Sequence, residues 1–407
     1  MRAGPLAALI LAAAVLGGGV ALGIGKGAGW IGSGTKTVVV PSPSQPAALP
    51  EKASSSVAPL PGKGFDPQRI FAERSPGVVT IFAYFGDPAD EGTQVSQGSG
   101  FVTSASGYVL TNSHVITTAG ESPSSRVEAA DRVFVEFADG DRTEATIVGW
   151  DLFDDVGLVK IASRDHRLSP VPLGVSSTVS VGDPVAAIGS PLGTEIGTNS
   201  LAVGVVSAIH RSIDAVTVDL FRVIDAIQTD APITHGSSGG PLFDARGRVI
   251  GINAQIRSTR GGGNDSGIGF AIPIDAAKHS MAQLIANGRV RYAYLGIVTE
   301  DMTPSLARAT GYKVERGALI VDIQGGPARD AGLRGGDRQV DVLGIRDLAV
   351  GGDVVVEIDG HPVRSADDLV RIVSFSLKPN DIAVLTIVRD GQRKKVAVTL
   401  AERQLPD

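Results

Sequence analysis

From Val78 onward the apolar residues come in short runs divided by Gly, Asp and Asn. VVTIFAYF at 78–85, SGFVTSASGYVLTNSHVI at 99–116, DRVFVEFADGDRTEATIVGW at 131–150 and DVGLVKIA at 155–162 set the texture. DPVAAIGSP at 183–191, LAVGVVSAI at 201–209, FRVIDAIQTD at 221–230 and RVIGINAQI at 248–256 continue it. Runs this short and frequent, joined by hairpin-type turns such as Ala138-Asp139-Gly140-Asp141, predict a mainly β unit, a barrel or a sandwich. One helix follows. Pro273 precedes it, Asp275 is the expected N-cap, and Gly288 lies past its end. Ala277, Met281, Leu284 and Ile285 fall on one face at helical spacing.

A second unit begins after Arg291. YLGI at 294–297, GALIVDI at 317–323, GGDVVVEIDGHPV at 351–363 and AVLTIVRDG at 383–391 read as strands and turns. Two short helices are expected, one in GGPARDAGL and one in SADDLVRIVSF, where Ser365 and Asp368 form a capping box. GGD recurs at 335–337 and 351–353, which predicts an insertion between the two runs.

Before Val78 the pattern is different. Residues 3–25 carry no charge, enough apolar helix to span ~30 Å of hydrocarbon at 1.5 Å per residue. Residues 1–30 are therefore expected to form a signal anchor or, given the many small residues, a cleaved signal peptide. Arg2 against Lys26 fits an N-inside orientation. Either reading puts the rest of the chain outside the cytoplasm, on a single-pass anchor or secreted. Residues 31–66 are rich in Pro, Ser and Ala and read as an extended tether.

Composition narrows the function. Lys plus Arg is 37 against 43 for Asp plus Glu, a net charge of −6, which argues against a nucleic-acid partner. Aromatics at 5% argue against a stacking platform, and 52 glycines suit tight turns better than a helical bundle. The absence of cysteine excludes disulfides, thiolate zinc sites, iron–sulfur clusters and a Cys nucleophile. The six histidines, at 114, 166, 210, 235, 279 and 361, include no pair at i, i+3 or i, i+4, so no local metal motif is present. No metal or organic cofactor is expected.

Three segments carry candidate chemistry: Thr111-Asn112-Ser113-His114 after the strand YVL, Asp155 before the apolar run VGLVKI, and Gly236-Ser237-Ser238-Gly239-Gly240. A serine hydroxyl needs a base in reach, and the base needs an acid to fix its tautomer. Asp151, Asp154 and Asp155 compete for the acid. On an extended strand Asp154 and Asp155 face opposite ways, and Asp155 directly precedes the apolar run. The glycines around Ser238 allow consecutive backbone N–H groups to converge on one point, an oxyanion hole. GSSGG also fits the G-x-S-x-G elbow, which needs a helix after the serine. LFDARGRVIGIN reads instead as strand–turn–strand.

At these residues the chain resembles the HtrA/Deg family of trypsin-like serine proteases with PDZ domains. GSGFV…GYVLTNSHV, DVGLVKI, AIGSPLG, QTDAPITHGSSGGPLFD, GRVIGINAQI and GIGFAIPID carry the resemblance, with YLGI, GGPARDAGL and GGDVVVEIDGHPV in the second unit. It covers about residues 67 to 403. Two departures stand out: Thr234-His235-Gly236-Ser237-Ser238 replaces the usual Asn-Pro-Gly-Asn-Ser, and Gly157 replaces an alanine. The resemblance implies a chymotrypsin-like double β-barrel protease over 67–290, followed by a PDZ domain over 291–403. It implies a triad of His114, Asp155 and Ser238, with Gly236, Ser237 and Ser238 as the oxyanion loop. His166 is expected in solvent, and His235 beside the site.

The position about six residues before the nucleophile, which carries an acid in basic-selective trypsin-like folds, is here Pro232. With Ile233 and Ile256 it predicts an apolar pocket for small aliphatic side chains. Tyr294, Leu295, Gly296 and Ile297 are expected to bind extended C-termini by strand addition. The implied function is ATP-independent proteolysis of misfolded or damaged extracytoplasmic proteins. The implied assembly is a homotrimer or a multiple of it, with Phe65, Phe71, Phe82, Tyr84 and Phe85 as candidate apolar contacts. The rival reading is a non-proteolytic chaperone or PDZ scaffold on a protease fold.

Overall fold

The computed structural model describes residues 64–404, apart from 121–126, 163–165, 191–198, 215–221, 235 and 255–267. The expected anchor and most of the tether lie outside the described residues. Among those described, no helix is long and apolar enough to cross a membrane. Helix α1 (Pro67–Arg74) opens the folded unit, with Asp66 Oδ1 accepting the Arg69 N–H at 2.9 Å as its cap.

Two closed barrels follow. The first contains β1 (Val78–Phe85), β2 (Gln94–Val102), β3 (Tyr108–Thr111), β4 (Arg132–Glu136), β5 (Arg142–Asp151) and β6 (Val156–Ile161), in the order β1-β2-β3-β6-β5-β4. A short helical turn, α2 (Ser113–Ile116), leaves β3. The second contains β7 (Pro184–Gly189), β8 (Ser200–Asp214), β9 (Arg222–Thr229), β10 (Pro241–Phe243), β11 (Val249–Ala254) and β12 (Gly269–Pro273), in the order β10-β11-β12-β9-β8-β7.

The apolar runs are unbroken because neighbouring residues serve different cores. Val79, Ile81, Val102, Val109 and Val159 fill the first barrel. Their neighbours Val78, Phe101, Leu110 and Leu158 turn outward, into a core shared with Ile188, Phe243 and Ile252 of the second. A strand buried on both faces loses the polar–apolar alternation of a half-exposed one. Truncating a shared-core ring such as Phe101 or Phe243 to alanine removes about 3–5 kcal/mol.

Helix α3 (Ile274–Asn287) closes the barrels, inserting Ile274, Ala277 and Leu284 into the shared core. Two expectations are corrected here. Pro273, not Asp275, holds the N-cap position; Asp275 lies in the first turn, where its carboxylate accepts the Ser177 N–H at 3.0 Å. Ile285 is 45% exposed, so the buried face is completed by Ser280. Gly288, at φ 70°, ends the helix as anticipated.

The second unit holds a sheet of β14 (Ile297–Met302), β15 (Gly317–Ile323), β18 (Val354–Ile358), β20 (Ile382–Arg389) and β21 (Gln392–Thr399) in that order, with β19 (His361–Pro362) beside β18. The insertion between the GGD runs is a hairpin, β16 (Arg338–Val342) with β17 (Ile345–Val350), and β13 (Ala293–Tyr294) pairs with β22 (Ala401–Glu402). Three helices are present rather than two: α4 (Pro304–Thr310), α5 (Pro327–Asp330) and α6 (Ala366–Ser376). The capping box on α6 is half formed. Ser365 Oγ accepts the Asp368 N–H at 3.1 Å, but Asp368 Oδ2 accepts from Arg364 N–H at 3.0 Å rather than from the cap residue itself.

Candidate active site

His114 stands on α2, the turn where the chain leaves β3. Its ring is oriented by Asp155, whose Oδ2 lies 2.8 Å from Nδ1. The same carboxylate accepts through Oδ1 from Ser113 Oγ at 2.7 Å and from the His114 backbone N–H at 3.1 Å. The Asp155 carbonyl accepts from Ser113 N–H at 3.2 Å and from Asn112 Nδ2 at 2.9 Å. These bonds hold Asp155 in the left-handed region, at φ 50°, a conformation that costs a non-glycine residue about 1–2 kcal/mol. Strand alternation is therefore not what separates Asp155 from Asp154. The two side chains do diverge, but residue 155 belongs to a turn, and β6 starts at Val156. A Cβ on Gly157 would sit 2.8 Å from the Asn112 carbonyl and 2.9 Å from the Ile116 side chain, so this departure fits the tight packing of α2 on β6.

Burial pulls His114 toward its neutral form. The charge of Asp155 and the hydrogen bond to it outweigh burial and raise the pKa above the ordinary 6.5.

Ser238 comes from the other barrel, on the loop before β10. Its hydroxyl is buried and has no hydrogen-bond partner among the described residues, so the link from Ser238 to His114 is open while the link from His114 to Asp155 is made. The loop backbone is nevertheless well anchored. Ser99 on β2 donates its N–H to the Ser238 carbonyl at 2.7 Å and its hydroxyl to the Gly236 carbonyl, and accepts from Ser190 N–H at 2.8 Å. On the other side Gly239 N–H donates to the Asn253 carbonyl at 2.9 Å. Gly239 has φ +87°, and a Cβ there would lie 2.1 Å from the Ser99 carbonyl. No other residue type fits.

The expected oxyanion loop needs one correction. Ser237 N–H donates to the Thr234 carbonyl at 2.9 Å and is not available to a substrate. The candidate donors are then the N–H groups of Gly236 and Ser238. His235 lies outside the described residues, as does Ile256 of the expected pocket. Pro232 is exposed, and Ile233 is half-buried with its side chain over Gly269. His166, expected in solvent, stacks on Phe137 with ring centroids 3.7 Å apart and bonds Asp141 Oδ2 at 2.9 Å. Among the described residues no group of three His, Asp or Glu gathers to hold a metal.

The YLGI segment divides. Tyr294 belongs to the β13–β22 pair and Leu295 is buried in the core of the second unit. The Leu295 carbonyl accepts from Ala328 N–H and the Gly296 carbonyl from Gln324 N–H, each at 2.9 Å. A trans peptide carries its C=O and N–H in opposite directions, so the N–H groups of Gly296 and Ile297 turn away from those partners. They stand at the head of β14, an edge strand paired on one side only. Gly296, at φ +79°, approaches the Gly325 carbonyl so closely that a Cβ would lie 2.3 Å from it.

Ser99, Ser113 and Asn112 hold the site without being chemically conspicuous in the sequence; Ser99, flanked by Gly98 and Gly100 in a strand, carries the legible signal of close backbone approach.

The comparisons with known proteins agree with this layout. A family described as trypsin-like peptidase domain matches residues 98–252, and one described as PDZ domain matches 293–400. A probable periplasmic serine endoprotease DegP-like of Pseudomonas fluorescens is 38% identical over 355 residues, 86% of this chain and 65% of the relative. Its counterpart in Pseudomonas savastanoi pv. phaseolicola is 39% identical over 363 residues, 88% of this chain and 67% of that one. The chain thus spans about two thirds of the length of these curated relatives. The solved HtrA-type protease AlgW with tripeptide superposes with a TM-score of 0.66 at 30% identity, covering 84% of this chain and 98% of that one.

Proposed function

The chain belongs to the HtrA family of trypsin-like serine proteases carrying a PDZ domain, and from that premise we propose that it is an ATP-independent serine endopeptidase of misfolded or damaged extracytoplasmic proteins. The observation that carries the reading is the Nδ1–Oδ2 contact of 2.8 Å between His114 and Asp155, beside a serine, Ser238, that is followed by two glycines. Asp155 fixes the proton on Nδ1, leaving Nε2 of His114 to accept the Ser238 proton as Oγ attacks the scissile carbonyl. The N–H groups of Gly236 and Ser238 receive the developing oxyanion. His114 then returns the proton to the leaving amine, and water repeats the sequence on the acyl-enzyme.

The protease unit is assigned to 67–290 and the PDZ unit to 291–403. Extended C-termini add as a strand along β14, with the terminal carboxylate at the N–H groups of Gly296 and Ile297. Residues 1–30 serve as a signal anchor or a cleaved signal peptide, with 31–66 as tether, and the working assembly is a homotrimer or a multiple of it. The apolar pocket of Pro232, Ile233 and Ile256 takes small aliphatic side chains.

One observation favours the rival, a chaperone or scaffold without proteolysis: the Ser238 hydroxyl has no partner. Casein degradation by the full chain, with and without Ser238→Ala, separates the two. Cleavage abolished by the substitution supports the protease; no cleavage by the parent supports the scaffold.

A further inference from the structure

One buried cluster is not used by the mechanism above. Asp151 and Asp154 are 2% and 5% exposed, and Tyr292, at the start of the PDZ unit, is 2% exposed. Tyr292 Oη lies 2.5 Å from Asp151 Oδ2 and 2.8 Å from Asp154 Oδ2. Ser280 Oγ on α3 lies 2.7 Å from Asp151 Oδ2. A phenol has one proton and can donate to one carboxylate only. The second short oxygen–oxygen contact therefore needs a proton on the carboxyl group itself. Asp151 gathers the donors: Tyr292, Ser280, and the backbone N–H groups of Phe153 at 3.0 Å and Asp154 at 3.5 Å. That is the setting of the charged member of the pair, which leaves the proton on Asp154.

We propose that Asp154 is a positioning residue for Asp155: a neutral carboxylic acid that donates to Tyr292, which donates to Asp151, so that the turn bearing Asp155 is clamped to the start of the PDZ unit. Asp154 and Asp155 are adjacent, and Asp155 is the residue whose left-handed backbone must be held against its own preference. The clamp supplies the hold from the side opposite His114. Loss of the proton would set two carboxylates against one hydroxyl, and their repulsion would release the turn.

The surroundings favour the neutral acid. Burial, then Asp151, raise the Asp154 pKa to about 8; Tyr292 and Arg403 oppose this, and Asp225 on β9 adds to it. Arg403 lies with its guanidinium 4.4 Å from the Phe153 ring centre. His279 of α3 is pushed toward its neutral form by burial, and Arg291 is engaged by Glu402 at 2.6 Å.

The role rests on the protease reading, but the protonation state does not, so the test has two arms. Full-length parent, Asp154→Asn, Asp154→Ala, Tyr292→Phe and Ser238→Ala are assayed for kcat and KM on a fluorogenic peptide across the alkaline range. Isotope-edited infrared spectra of the same proteins report the protonated carboxyl band. Parent kcat should fall as pH rises past about 8. Asp154→Asn, which keeps the shape and a donor but cannot ionise, should remove that fall. Asp154→Ala and Tyr292→Phe should lower kcat by about tenfold or more near neutrality with KM little changed, as a misplaced triad member does. The amide should recover most of that loss, which a merely structural role would not predict for kcat alone. The carboxylic-acid band should be present in the parent at neutral pH and absent from Asp154→Asn. An unchanged alkaline fall in Asp154→Asn, or an amide as damaging as alanine, overturns the positioning role. A band that persists in Asp154→Asn overturns the protonation. If the parent is as inert as Ser238→Ala, the protease reading fails while the infrared arm still decides the proton.

Discussion

Asp155→Asn tests the core of the site with almost no change of shape. Asn Oδ1 can still accept from Ser113 Oγ and the His114 backbone N–H, which now bond Asp155 Oδ1. The change falls on the other atom. An amide Nδ2–H in place of Oδ2 faces His114 Nδ1 across 2.8 Å, so Nδ1 must become an acceptor. The imidazole proton then sits on Nε2, and the nitrogen meant to take the Ser238 proton is already occupied. Loss of the correct tautomer is worth about 10⁴ in kcat, about 5 kcal/mol of barrier at 1.36 kcal/mol per tenfold. The titration moves too. In the parent, Asp155 outweighs burial and raises the His114 pKa above 6.5, so activity should be lost as pH falls through a midpoint above that value. Without the carboxylate only burial remains, and the midpoint for His114 should drop below 6.5. Stability runs the opposite way along the pH axis. The charged pair stabilises the fold at pH values below the ordinary histidine pKa, and this contribution fades as pH rises through the raised value. Single-turnover peptide hydrolysis and NMR titration of the His114 ring measure both effects. A variant within tenfold of the parent in kcat, or with a His114 pKa as high as before, would refute the assignment.

Ser238→Ala should abolish cleavage yet leave the protein as stable as the parent, or more stable by up to about 1 kcal/mol, because it removes a buried hydroxyl that has no partner; a clear drop in melting temperature would contradict the geometry. Gly296→Val should lose binding of C-terminal peptides while sparing casein cleavage in the barrels, since any Cβ there meets the Gly325 carbonyl at 2.3 Å; fluorescence anisotropy with unchanged affinity would reject the site. Mass spectrometry of casein digests should show cuts mainly after Val, Ala or Ile. A buried Lys or Arg head would lie unpaired against Ile233 at a cost of several kcal/mol, so a majority of basic cleavage sites would sink the pocket reading.

What the sequence revealed followed physical locality. Strand runs, the β4–β5 turn at Ala138–Asp141 and the end of α3 at Gly288 depend on neighbours a few residues apart, and they were readable. Helix α4, beyond the two helices expected in this unit, has equally local signals: Thr303 caps it, Pro304 opens it and Gly311 closes it. Other features depend on distant contacts. Nothing in the sequence around Tyr292 says that its hydroxyl meets Asp151 and Asp154. Ile285 satisfies helical spacing, but whether a neighbour covers it is decided by the barrels. Adjacent Ser237 and Ser238 are told apart by the fold: the Thr234 carbonyl takes the Ser237 N–H, and the Ser99 N–H takes the Ser238 carbonyl.

The site is assembled from two halves with different degrees of freedom. His114 and Asp155 both belong to the first barrel, and the hydrogen bonds made by the Asp155 carboxylate are all to Ser113 and His114. Ser238 belongs to the second, and its placement depends on the register between the barrels. Ser99 sets that register, since one residue of β2 bonds the carbonyls on both sides of Ser237. Asn253 fixes the next peptide from β11. With the carbonyl of Ser238 and the N–H of Gly239 both held, the hydroxyl retains one principal freedom, rotation about Cα–Cβ among staggered wells. Rotation of the Ser238 side chain is then the freedom left for closing the open link to His114. Removing the Ser99 hydroxyl would instead free the Gly236 carbonyl and loosen the Gly236–Ser237 peptide, which lies between the two candidate oxyanion donors, the N–H groups of Gly236 and Ser238.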